Sequence, residues 1–312
     1  MVRNERKIKA SFIITFLFYV SILIALSYFT IITNIKLKDL NNTKDKNTQT
    51  LSQLKNNLNE LKEEERKLSE EIDNIKNIDI NTAELKNEVF ELASQLEIKI
   101  KNGFSDYKIA YLTFDDGPYY LTNSYLEILN KYEVKATFFT IGFDKDRCFD
   151  NRNEDCSIMY KKIVDNGHTI ANHTYSHSIF NGLYTSADTF IYDLKYQEEF
   201  IKNKTGVITN IMRFPGGSAQ AKNLKNSIIA KLRENNYGWI DWTALNGDGG
   251  YVANKETAWN NFINSINENI EVVLFHDYNY VTLSMLPDAI EYLQNNNYIL
   301  LPLFYNSIMV NK

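Results

Sequence analysis

The sequence predicts an α/β domain on a parallel sheet, set behind an apolar N-terminal segment and a helical stalk. Three observations carry that reading. From about Gly103 onward, short apolar runs alternate with amphipathic helical stretches over about 200 residues, the pattern of strand–helix units in a parallel sheet. Polar residues suited to chemistry recur at the ends of those apolar runs, at Asp115, His173, Arg213, Asp241 and His276. The residues before Gly103 follow different rules, first uncharged and apolar, then polar with a heptad rhythm.

The front of the chain divides into three parts. Residues 1–9 carry Arg3, Arg6, Lys7 and Lys9 and read as a cytoplasmic tail. Residues 10–35 hold no charge, and about 20 such residues cross a hydrocarbon core, so they predict a transmembrane signal anchor. The competing reading is a cleaved signal peptide, since Ala25-Leu26-Ser27 has the small-x-small form of a cleavage site. Both readings export the remainder, and the anchor reading gives a single-pass membrane protein with its catalytic domain outside the cytoplasm. Residues 36–102 carry apolar positions at Leu51, Leu54, Leu58, Leu61, Leu68, Ile72 and Ile75 in steps of three and four, with Glu65 breaking the seam between Leu61 and Leu68. After Asn81, a candidate N-cap with Glu84 three residues on, a second stripe follows through Leu85, Val89, Leu92 and Leu96. So narrow a seam needs a partner to bury it, which predicts a homo-oligomeric coiled-coil stalk. A solvated helical spacer is the alternative.

Residues 103–308 form the expected catalytic domain. Strands are expected at 109–114, 136–141, 168–171, 210–214, 237–242, 271–275 and 299–303, with helices at 123–131, 187–202, 224–235 and 255–267 among others. The sheet is either open or closed into a barrel, and in barrels the carboxyl edge of the strands carries the active site. Cys148 and Cys156 are separated by seven residues in a polar, acidic stretch. No second Cys or Cys/His pair lies nearby to complete a structural zinc site, so a disulfide closing a surface loop is expected outside the cytoplasm, with two free thiols as the alternative. The net charge of −5, without a dense basic stretch, argues against a nucleic-acid partner.

The chemistry concentrates in a few residues. His173 and His177, four apart, can face one ion from a helical turn or a wide loop, and a carboxylate from another strand completes a two-His-one-carboxylate set with open positions. Asp115 and Asp116 point in different directions from an extended backbone, so one can bind the ion while the other takes a proton. His276 supplies a further imidazole. Together these are the parts of metal-assisted hydrolysis. His168 has no such partner set and reads as a buried structural histidine.

Five segments in order, T-F-D-D-G-P (113–118), H-T-Y-S-H (173–177), R-F-P-G-G (213–217), D-W-T-A-L-N-G-D (241–248) and V-L-F-H-D (273–277), resemble the motifs of the polysaccharide deacetylase family, carbohydrate esterase family four or NodB-homology domain. The resemblance covers roughly residues 105–306. It implies a distorted (β/α) barrel and metal-dependent removal of acetyl groups from a sugar polymer. It further implies Asp115 as general base, and Asp116, His173 and His177 as ligands of a divalent metal, zinc first, with cobalt, nickel or manganese also suited. Arg213 would hold the base, Gly216 would offer a backbone N–H to the oxyanion, His276 would be the general acid, and Asp248 would orient it. Leu274 would wall the acetyl-methyl pocket. Gly249 stands where the family often has tryptophan, which leaves Trp242 to supply part of the aromatic wall. With an exported, tethered domain, the expected substrate is cell-wall glycan, foremost peptidoglycan N-acetylglucosamine. The alternatives are another glycan (chitin oligomer, xylan or exopolysaccharide) or a catalytically silent glycan-binding scaffold.

Overall fold

A computed structural model describes residues 82–142 and 157–312, with the isolated helical residues 55, 56 and 59. The chain divides into two compact units, 1–91 and 92–312. The apolar segment 10–35, the heptad positions up to Ile75, and Cys148 with Cys156 lie outside the described residues. Among the described residues no helix is long and apolar enough to cross a membrane.

The second unit opens with the end of α1 (Thr82–Lys101). Here the buried positions are Ala93, Glu97 and Ile100, while Leu92 of the expected stripe is 44% exposed. The inward face therefore turns on a carboxylate: Glu97 accepts hydrogen bonds from Tyr111 Oη (2.6 Å), Ser307 Oγ and Ile308 N (3.0 Å). The compact unit thus begins about ten residues before the expected domain start. It also extends past 308, where Val310 is buried and Asn311 bridges Trp239.

The sheet is wholly parallel. Its strands are β1 (Lys108–Asp115), β2 (Thr137–Thr140), β3 (Thr169–Asn172), β4 (Ile211–Met212), β5 (Gly238–Trp239), β6 (Ala244–Leu245), β7 (Ile270–His276) and β8 (Tyr298–Leu300). They run in the order β5-β4-β3-β2-β1-β7-β6, with β8 paired to β1 off that path. The result is an α/β half-barrel of parallel strands, which fits the expected distorted barrel in its open form. β1 and β7 are the centre: seven of eight residues of β1 and all seven of β7 are buried. Burial on both faces is why these runs read as continuously apolar rather than alternating. One flank of β1 is shared, β8 pairing with its first half and β2 with its second.

Helices α2 (Thr122–Lys131), α3 (Ser157–Asp165), α4 (Ala187–Thr205), α5 (Lys225–Glu234), α6 (Lys255–Ser265) and α7 (Tyr280–Asn295) connect the strands. α4 is capped by Ser186, which accepts Thr189 N, and stops at Gly206 with φ +77°. Two apolar clusters result. Phe114, Phe138, Phe275 and Phe262 anchor one, and Phe190, Phe214, Ile228 and Leu232 anchor the other.

The strand expected at 237–242 is cut short at β5, and β6 was not expected at all. The predicted strand 237–242 pairs only at Gly238–Trp239, because the carbonyls of Ile240 and Asp241 accept from the Arg213 guanidinium instead of a ladder. β6 is two residues long, too short for any periodicity to announce it.

Candidate active site

The parallel register assembles the site at the carboxyl edge. Asp115, the last residue of β1, lies opposite His276, the last of β7. His173 follows the end of β3 and Arg213 follows the end of β4. Residues remote in sequence thus arrive together because each ends or follows a paired strand.

Asp115 is buried, and Arg213 Nη1 donates to its Oδ1 at 2.8 Å. Arg213 is itself fully buried. It donates also to Thr113 Oγ1 (2.8 Å), Ile240 O (3.2 Å) and Asp241 O (3.2 Å), and its guanidinium stacks 4.3 Å from the Phe139 ring centroid. A buried cation needs such complete satisfaction. Oδ2 of Asp115 faces His173 Nε2 at 3.6 Å.

Asp116 does not continue the extended chain. Its φ is +70°, in the left-handed region that non-glycine residues rarely occupy. The expectation of two carboxylates diverging from an extended backbone is therefore corrected: the turn brings both against His173. Asp116 Oδ1 lies 3.4 Å from His173 Nε2 and 3.1 Å from His177 Nε2. The histidines sit on a loop rather than a helix, and His177 has φ +49°.

The donor set can be tested for a cation. His173 Nδ1 lies 2.9 Å from the Arg213 carbonyl, which only accepts, so Nδ1 carries the proton and Nε2 presents a lone pair. That lone pair faces Asp116 Oδ1, another acceptor, buried and without a hydrogen-bond partner. Acceptors converging in a buried space call for a positive charge between them. Asp116, His173 and His177 each bring one ligand atom, all within 4.8 Å of one another, and among the described residues they fit one metal ion.

His276 forms the opposite wall. Its Nδ1 is 2.7 Å from Asp248 Oδ1, and its backbone N–H donates to Asp248 Oδ2 at 2.9 Å. Thr282 Oγ1 donates to the same Oδ2, and Asn279 Nδ2 to the Asp248 carbonyl at 3.2 Å. Burial alone would lower the imidazole pKa; the Asp248 hydrogen bond and charge, helped by Asp116 and Asp115, outweigh it and push it up to about 9. His276 Nε2 points into the space shared with Asp116 Oδ2, 3.8 Å away. Gly249 is small for a reason: a Cβ there would stand 2.8 Å from His276 Cε1. The backbone at Gly249 therefore abuts the imidazole directly.

The remaining expected residues distribute around this centre. Leu274 is two residues before His276 on β7 and shares its face. Gly216, exposed with φ +71°, lies in the loop after Arg213. Trp242 packs over Gly217, with the Arg213 guanidinium 5.9 Å from its ring, so it belongs to the β4–β5 side and not beside His276. His168 is buried, accepts the Ala136 N–H at Nδ1 (3.1 Å) and meets Phe138 edge-on, a structural role.

Several further residues surround the centre. Asp277, fully buried next to His276, accepts from Thr122 Oγ1, which in turn accepts the Tyr119 N–H at 2.7 Å. Burial foremost pushes its carboxyl up to about 7, opposed by the Thr122 bond. It stood in the fifth motif without an assigned part. Asp241 accepts Ser218 N (2.9 Å) and Ser218 Oγ, fixing the loop that carries Gly216. Tyr119 and Tyr278 meet at 5.7 Å, and Tyr278 lies 5.2 Å from the His276 ring, giving an aromatic rim.

An α/β half-barrel with a two-His-one-Asp cluster, a clamped carboxylate and a carboxylate-backed histidine defines a hydrolase-type site. Comparison with known proteins agrees. A family model described as polysaccharide deacetylase matches residues 103–234. The catalytic domain of a peptidoglycan N-acetylglucosamine deacetylase from Eubacterium rectale is 33% identical, with a TM-score of 0.59 over 66% of this chain and 93% of that one. A peptidoglycan-N-acetylglucosamine deacetylase of Bacillus cereus is 29% identical over 199 residues, covering 61% of this chain and 67% of that protein. A bifunctional xylanase/deacetylase of Pseudobutyrivibrio xylanivorans is 30% identical over 193 residues, which span 61% of this chain but only 29% of that protein. This chain belongs to the polysaccharide deacetylase family.

Proposed function

We propose that this protein is a metal-dependent deacetylase of cell-envelope glycan, acting on peptidoglycan N-acetylglucosamine and releasing acetate. The observation that carries the reading is the cation-demanding cluster of Asp116, His173 and His177, flanked by Asp115 on one side and His276 on the other. Two relatives named for peptidoglycan N-acetylglucosamine support the substrate. So does the expected export of the domain on an anchor at 10–35 and a stalk at 36–102, with the catalytic domain held outside the membrane.

The roles follow from which atoms remain free. Arg213 occupies Oδ1 of Asp115, so Oδ2 is the oxygen that takes the proton of the attacking water. A divalent cation held by Asp116, His173 and His177, zinc foremost, supplies charge at the acetyl carbonyl and a lowered pKa for that water. The Gly216 N–H receives the developing oxyanion, a contribution of about 3–4 kcal/mol for one donor. Asp248 occupies Nδ1 of His276, so Nε2 gives its proton to the departing nitrogen. The water oxygen forms the new C–O bond, the C–N bond breaks, and the products are acetate and a free sugar amine. Leu274 and Trp242 bound the acetyl pocket and the sugar side.

The test is acetate release from purified peptidoglycan by the full-length protein, with and without chelator, beside Asp115→Asn. Release that chelator and the substitution both abolish is expected. Release from chitin oligomers or acetylated xylan alone would reassign the substrate, and release from none would move the assignment to a glycan-binding scaffold.

A further inference from the structure

The two histidines of the cation cluster are held differently. His173 directly follows β3: its N–H donates to Thr140 O at 3.0 Å, continuing the β2–β3 ladder, and its Nδ1 meets the Arg213 carbonyl. His177 has no strand beneath it. It reaches the cluster only through the path of residues 174–177, and that path is strained. Thr174 has φ +66° and His177 φ +49°, two non-glycine residues in the left-handed region. Such a conformation persists only where the surroundings over-determine it.

Much of what determines it lies on α4, outside the five motifs. Asp193 Oδ1 accepts the Tyr175 N–H at 2.7 Å and the Ser176 N–H at 2.9 Å, two successive amides between the two ligands. One turn further along α4, the Tyr196 ring stands edge-on to Tyr175 at 4.4 Å, and Phe200 meets the same ring at 5.6 Å. Positions 193, 196 and 200 recur on one helical face, so a single stripe of α4 holds the middle of the loop. The loop's own side chains serve its ends: Asn172 Oδ1 accepts the Thr174 N–H at 2.9 Å, and Thr174 Oγ1 accepts the His177 N–H at 3.3 Å. The helix is itself locked to the sheet beside Asp193. Asn172 Nδ2 donates to Leu194 O and Gln197 Nε2 to Thr140 O, both at 2.9 Å and both buried. Asp193 therefore bears on the loop from a rigid element.

We propose that Asp193 is a positioning residue of the metal site, whose two hydrogen bonds hold His177 within reach of the cation that Asp116 and His173 share. The inference rests on the metal-dependent reading and deepens it. Asp193 is not one of the clustered ligand groups, so it acts on the ion through the backbone. Acceptor geometry is what the role requires, and an asparagine oxygen can accept the same two amides.

The experiment measures zinc affinity of the full-length protein by competition with a chelating dye, without substrate and well below the Tm of each chelated variant. Asp193→Ala is expected to weaken zinc binding about tenfold, the low end for a lost outer hydrogen bond, while Asp193→Asn stays within about twofold of wild type. Asp188→Ala removes a carboxylate from the start of the same helix, where it pairs with Lys231 at 2.8 Å, and is expected to bind zinc as wild type does. Wild-type affinity in Asp193→Ala, even with a lowered Tm, would overturn the proposal and leave a structural role. Equal losses in Asp193→Ala and Asp193→Asn would also overturn it, since charge and not positioning would then be at work. Should the expected pattern appear in a protein that releases no acetate, the positioning role stands and the deacetylase reading falls. A wild type that binds no divalent cation would remove both.

Discussion

Asp115 and Asp116 are neighbours whose environments differ more than their positions. Asp115 has one oxygen held by a buried arginine, while Asp116 turns on a positive φ toward two imidazoles. Replacing the base should therefore spare the cation: Asp115→Asn is expected to lose about 10²–10⁴-fold in acetate release while elemental analysis still finds metal bound. Loss of metal in that variant would mean that Asp115 is a ligand. His276 titrates in the opposite sense to a plain buried imidazole. Its raised pKa keeps the acid form to about 9, so kcat/KM should hold through neutral pH and decline above that value. Asp248→Asn removes the partner that most strongly raises it, and the alkaline limb should move to lower pH. A limb that stays in place would belong to another group.

At the level of elements, the end of α1 is joined to the body through a carboxylate and not through leucines. Glu97 is fully buried and accepts from Tyr111 on β1 and from Ser307 and Ile308 near the C-terminus. Glu97→Ala would leave those donors without an acceptor in a dry setting, at a cost of about 1–3 kcal/mol. Denaturant unfolding should record the loss as a lower midpoint at unchanged slope. Acetate release per folded molecule should stay at the wild-type level, since the helix lies outside the catalytic set. The short β5 follows a related logic: Arg213 gives two donors to the Ile240 and Asp241 carbonyls, which a longer strand would have used.

For the whole molecule, the proposed cation site of Asp116, His173 and His177 would couple metal binding to folding. Binding to the native state alone stabilises it by about 2.7 kcal/mol at a hundredfold excess over Kd. Chelation is expected to lower Tm by about 5–10 °C, with recovery on adding zinc. His177→Ala should abolish that metal-dependent shift; a variant that keeps it would remove His177 from the ligand set.

The sequence by itself determined the parallel α/β class, the strands at β1 and β7, and the residue types of the site. Buried strands are continuously apolar, and chemistry-bearing side chains at their ends stand out against that background. The helices 187–202, 224–235 and 255–267 were legible from amphipathic spacing, to within three residues of Ala187–Thr205, Lys225–Glu234 and Lys255–Ser265. Two-residue strands such as Ala244–Leu245 hold too few positions to show a period. Only the tertiary structure decided that Asp116 folds back on His173, that Gly249 backs the His276 ring, that Trp242 sits with Arg213, and that Asp277 and Thr282 complete the shell. Each of these depends on a positive φ, a close approach or a partner more than twenty residues away. Local sequence encodes which groups are available; long-range packing alone sets which of them meet.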